Sequence, residues 1–142
     1  MSFDPRTMGT PVYEALNKLR NKQESNKQDL AKRKERLKEQ KNQAVELYTY
    51  LSTWGLLRLK AEEKALEKDE TKKGKKEMLN AFFTCLDKIA GGEDKIAGAS
   101  GLQILTGLDA DDYLGLTGLG LALAQEFSFW ANTIYFDIKG EG

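Results

Sequence analysis

The chain has 142 residues, 22 Lys and Arg balanced by 22 Asp and Glu, one cysteine and no histidine. That length suits one domain able to bury roughly 70% of its unfolded surface without staples. A lone cysteine excludes an internal disulfide and agrees with a reducing, cytoplasmic compartment. The lack of histidine removes the commonest general base and, with one cysteine, any zinc site of the usual N/S kind.

Residues 1–9, with Pro5 and Gly9, read as a loose arm, and the first thirty residues are polar with no apolar leader expected. Thr10-Pro11 predicts a helix start, Thr as cap and Pro at the first helical position. From Val12 to Gly55 nothing breaks a helix, so one long N-terminal helix is expected. Residues 17–43 hold ten cations against four anions, a net of +6. They are poor in apolar residues, so this basic stretch is expected to be exposed, with the core beginning near Ala44. Ala44, Leu47, Tyr48, Leu51 and Trp54 recur at spacings of three and four. Gly55 marks a kink or a close approach.

Residues 69–76 read as an exposed loop. A second helix is expected from about Glu77 to Ala90, burying Met78, Leu79, Phe82, Phe83, Leu86 and Ile89, and ending at Gly91-Gly92. Residues 93–108 are glycine-rich and leave room for one short helix. Asp109, Asp111 and Asp112 place acids where a helix N-terminus favours them. A last helical region follows to about Asp137, with Gly115, Gly118 and Gly120 weakening its start and Thr117 a candidate cap. No stretch alternates as a strand does. The expected fold is all-α, a bundle of four to six helices forming a single domain over residues 10–142.

The charge is divided along the chain. Residues 86–142 carry nine anions and three cations, a net of −6. Arg20, Lys27, Lys32, Arg33, Lys34, Arg36, Lys38 and Lys41 form a cationic run of the kind that neutralises a phosphate backbone, which needs cations at flexible reach and no fixed spacing. The plainer reading is a solvated helix supported by Glu35 and Glu39. No aromatic residue interleaves the run, so contact with bases is not expected there. Lys72, Lys73, Lys75 and Lys76 read as a soluble loop. Residues 113–136 carry one charge, Glu126, and are long enough to cross a bilayer. Gln125-Glu126 in their middle and acidic flanks argue instead for the central helix of a bundle. Phe127, Phe129, Trp130, Tyr135 and Phe136 suit a core, with a remainder left exposed to receive a neighbouring subunit. No nucleotide loop, nucleophile elbow or calcium loop occurs, so neither catalysis nor a cofactor is expected.

Tyr113, Leu116-Thr117, the segment Leu119 to Ala124 and the aromatic end at Phe127 and Trp130 make residues 113–137 resemble the small alpha-helical subunit of type III-B CRISPR effectors, the Cmr complex. Gly55-Leu56-Leu57, following Tyr48 and Leu51, is similar to that family's Gly-Leu and apolar helix. Thr53-Trp54 stand where the family often has Pro and Asn, and Asp137, Lys139 and Glu141 replace its basic tail. The resemblance implies a non-catalytic subunit stacked in a few copies beside backbone and large subunits, touching guide and target RNA. Asp109, Asp111, Asp112 and Trp130 would then meet the basic part of the next copy. A helical adaptor or oligomeric scaffold without nucleic acid is the alternative, and a single-span membrane protein a further one.

Overall fold

The computed structural model describes residues 6–21, 30–91 and 95–139. Among the described residues, six α-helices and one 3-10 turn make up the bundle, with no strand. Helix α1 spans Arg6–Arg20, α2 Leu30–Trp54, α3 Leu56–Ala65, α4 Lys73–Ile89, α5 Gly101–Gly107 and α6 Ala110–Ile134. The 3-10 turn, Glu70–Lys72, leads into α4.

Helix α1 begins at Arg6, earlier than Thr10-Pro11 suggests, and Pro11 lies inside it. Pro11 lacks the N–H that would reach the Thr7 carbonyl. The turn holds because Met8, Val12 and Leu16, spaced by four, are all buried. Gly9 packs on α6, near Trp130 and Glu126.

The single helix expected from Val12 to Gly55 is instead two helices, with residues 22–29 outside the described chain. They run in opposite directions. Gly9 lies by Trp130 and Arg20 by Ile134, so α1 runs parallel to α6. Gln40 meets Tyr135 and Leu57 meets Tyr113, so α2 runs antiparallel to it. The core also begins earlier than Ala44. Arg36, Leu37, Gln40 and Gln43 are buried before the apolar stripe of Ala44, Leu47 and Leu51 takes over.

Gly55 separates α2 from α3. Its φ of 87° lies in the region glycine adopts without a Cβ penalty. Its N–H closes α2 on the Leu51 carbonyl at 3.0 Å. The Leu57 N–H, in the first turn of α3, donates to the Tyr113 hydroxyl at 3.1 Å. A helix start is thus satisfied from another helix.

Residues 69–76, expected as a loop, are already structured. Asp69 accepts from the Thr71 N–H at 2.9 Å and caps the 3-10 turn. Helix α4 starts at Lys73 because its first turn is held against α2. The Gly74 N–H donates to Glu39 Oε1 at 3.0 Å, and a Cβ at Gly74 would strike the Arg36 carbonyl and the Glu39 side chain. Met78, Leu79, Phe82, Phe83 and Leu86 are fully buried, and Ile89 is half-buried. Phe82 meets Phe83 and Phe127 edge-on, at centroid distances of 5.3 and 5.6 Å.

Asp87 accepts from the N–H groups of Ile96 and Ala97 at 2.8 and 2.9 Å, tying the approach to α5 onto α4. Helix α6 is continuous, and Thr117 does not start a fresh helix. Its hydroxyl donates to the Tyr113 carbonyl one turn back at 2.8 Å, which leaves the helix running. Helix α6 ends at Ile134, before Asp137. It packs on α1, α2 and α4. No helix among the described residues is long and apolar enough to cross a membrane.

The glycines of α4 and α6 should separate by environment. Gly74→Ala overpacks a tight contact and should cost about 1–3 kcal/mol. Gly115→Ala and Gly118→Ala meet open space on an exposed helix face and should each gain about 0.5–1 kcal/mol. Urea unfolding of the three variants checks both signs.

Candidate nucleic-acid interface

The first turn and a half of α2 overhangs the core. Lys32, Arg33 and Lys34 are exposed there and Lys38 is half-buried, with exposed Glu35 among them. The contact of Gly74 with Arg36 and Glu39 sets the start of α4 beside this overhang. Lys72 therefore lies close enough to Glu39 to favour its charged form, although burial pushes that carboxyl above its ordinary range. Lys72 and Lys73 are both exposed. Two basic segments more than thirty residues apart in sequence thus share one end of the bundle, and the reading of 72–76 as a mere loop is corrected.

Three cations of the predicted run are engaged elsewhere. Arg36 is buried and forms a two-pronged ion pair with Glu77; Nε donates to Oε1 and Nη2 to Oε2. The planar guanidinium suits this bidentate pairing, and the loss of either partner would strand a nearly buried charge. Arg20 donates to the Ile134 carbonyl and to Asp137 Oδ2, the latter at 2.7 Å. Asp137 holds the guanidinium above its usual range, and Arg20 holds that carboxyl below the usual one. Lys41 donates to the Ile138 carbonyl. Lys27 lies outside the described residues.

These contacts belong to a polar network that composition did not reveal. The Tyr135 hydroxyl donates to Gln40 Oε1 at 2.6 Å, and Gln40 Nε2 donates to Glu77 Oε1 at 3.3 Å. Glu77 closes the chain on Arg36. The network joins α2, α4 and the end of α6 inside an otherwise apolar core, where satisfied polar groups favour one packing over others. Burial pushes the Tyr135 phenol well above the ordinary tyrosine range. Tyr50 is pushed up to about 12, by burial first and then by its 2.7 Å hydrogen bond to Glu62. A second buried cation, Lys60, pairs with Glu63 and lies 4.8 Å from the Phe83 ring centre. The i, i+3 spacing of Lys60 and Glu63 was visible; their burial was not.

Asp109, Asp111 and Asp112 are exposed at the other end of α6. Asp109 caps that helix, accepting from the Asp112 N–H at 2.8 Å. Trp130 is half-buried, met edge-on by Tyr13 at 5.3 Å and by Phe129 at 5.2 Å. Of the aromatic group, Phe127 and Tyr135 enter the core, while Phe129 and Phe136 stay exposed. A groove of about 1130 Å³ lies between α1, α3 and α4. Lys18, Lys60, Lys88, Glu14, Glu63 and Glu77 mix both signs of charge along it. Cys85 at its wall is buried, and burial pushes the thiol up to about 11, away from reactive thiolate.

Comparison with protein-family models, curated proteins and solved structures finds no match to this chain.

Tyr135 in the network and Tyr50 on Glu62 give a pH test of these contacts. Their folded-state values lie above that of an unfolded tyrosine, near 10. The unfolded chain therefore loses these protons first. Stability should be intact below about pH 10 and decline as pH rises toward 12. Thermal melts across this alkaline range should show the decline, and Tyr50→Phe and Tyr135→Phe should each flatten it.

Proposed function

We propose that this chain is a non-catalytic, RNA-binding small subunit of a CRISPR type III ribonucleoprotein effector, contacting the guide–target RNA through its phosphate backbone. The observation that carries the RNA-binding part is the joint cationic surface of Lys32, Arg33, Lys34 and Lys38 on α2 with Lys72 at the start of α4. Solvated lysines and an arginine on a regular helix suit phosphates, which ask for charge and reach rather than geometry. The place in a CRISPR assembly is supported by the resemblance over residues 44–60 and 113–137. Exposed Asp109, Asp111 and Asp112 stand roughly 30 Å away, the length of helix between Lys34 and Trp54 at 1.5 Å per residue. Opposite charges at opposite ends favour copies meeting head to tail.

A helical adaptor without nucleic acid is the second reading. Exposed Phe129 beside half-buried Trp130 and Tyr13 favours it, as an apolar surface for a protein partner.

Salt titration of RNA binding separates the two. The wild-type affinity should fall steeply with salt. Lys32→Gln, Arg33→Gln and Lys34→Gln together should make the log–log slope shallower by about 2, since each neutralised phosphate contributes roughly 0.7–0.9. A slope that ignores the triple change, or no RNA binding at all, leaves the adaptor.

A further inference from the structure

The RNA surface read from sequence has no aromatic residue along it. The fold supplies one from the far end of the chain. Phe136 follows α6 and is 80% exposed, with Leu30 the barest large apolar side chain among the described residues. Its setting is rigid. Tyr135 before it is fully buried and Ile138 after it is nearly so. The Ile138 N–H donates to the Tyr135 carbonyl at 3.0 Å. Arg20 fastens Ile134 and Asp137, and Lys41 fastens Ile138. A ring gripped on both sides yet left in water is presented rather than merely uncovered.

Its surroundings are cationic. The Arg20 guanidinium carbon lies 5.9 Å from the Phe136 ring centre. Lys41 also favours the charged form of Asp137, the next residue. Asp137, the acid next in sequence, is bonded to Arg20. Lys34, Lys38 and Lys41 recur at four and three along α2 and so share one helix face. The stripe is about 10 Å long at 1.5 Å per residue, the axial length of about three phosphates of one strand. It begins at the exposed overhang and ends where Lys41 holds the segment carrying Phe136.

We infer that Phe136 is a stacking platform for an unpaired base of RNA whose backbone follows Lys34 and Lys38 on the face of α2 that Lys41 ties to the Phe136 segment. A cationic track beside an exposed ring is how single strands are held without sequence preference, because every base offers a π-face. This inference rests on the RNA-binding reading above and narrows it to a partner with an unpaired stretch. A base in a duplex is already stacked and gains little from the ring.

The test compares a short single-stranded RNA with the duplex formed from the same strand, both binding to the full chain. Phe136→Ala removes an exposed ring, so its melting temperature should stay near that of wild type. It should weaken single-strand binding about tenfold, leave duplex binding and the salt slope unchanged, and be rescued by Phe136→Trp. Equal single-strand affinity for Phe136→Ala and wild type overturns the stacking role while leaving the RNA reading intact; this includes the case in which the variant instead loses a protein partner. A wild-type chain that binds neither RNA overturns both.

Discussion

Helix α4 can approach α2 as closely as it does because Gly74 has no side chain. A Cβ there would collide with the Arg36 carbonyl and the Glu39 side chain. Once the approach is made, Glu39 accepts from the Gly74 N–H and satisfies one of the free donors of a helix start. One turn on, Glu77 is in reach of Arg36 and Gln40. Gln40 then accepts from Tyr135, which fixes the end of α6, and Lys41 and Arg20 secure the residues that follow. The contact thus determines which cations are consumed inside the molecule and which are left for a partner.

The division among cations follows their chemistry. Arg36 and Arg20 have planar forks that match a carboxylate or a carbonyl and carboxylate together, and both hold tertiary contacts. Lys32 and Lys34, compact charges on flexible stems, remain in water with Arg33. A run that looks uniform in sequence is therefore two things, a set of internal clamps and an external surface. The same holds for the aromatic group near the C-terminus. Phe127 and Tyr135 build the core while Phe129 and Phe136 face out.

Much of the fold was legible from residue patterns. The all-α class, the buried face of α4, the break at Gly55 and the acidic start of α6 all follow from spacing and capping chemistry. What stayed hidden depends on contacts between distant segments. The opposite direction of α1 and α2 has no glycine or proline signal, since residues 21–29 contain neither. The start of α4 at Lys73 depends on Glu39, some thirty-five residues earlier. Burial of Arg36, Gln40 and Lys60 contradicts the usual preference of such residues, and no local pattern announces a polar network inside a core. Phe136 beside the basic helix was equally invisible, since it depends on α2 and α6 running antiparallel. Of the surface cations, Lys32, Arg33, Lys34 and Lys72 were all read as exposed from composition, and the placing of Lys72 beside the start of α2 was not.

Under the proposed function, this bundle works by holding RNA within a larger assembly. The most direct measurement is purification of the tagged chain from its native cell at moderate salt without detergent, with identification of the associated proteins and sequencing of any RNA. The account predicts large effector subunits together with short guide RNAs bearing repeat-derived ends. Recovery of the chain alone, or with unrelated proteins and no RNA, would contradict it.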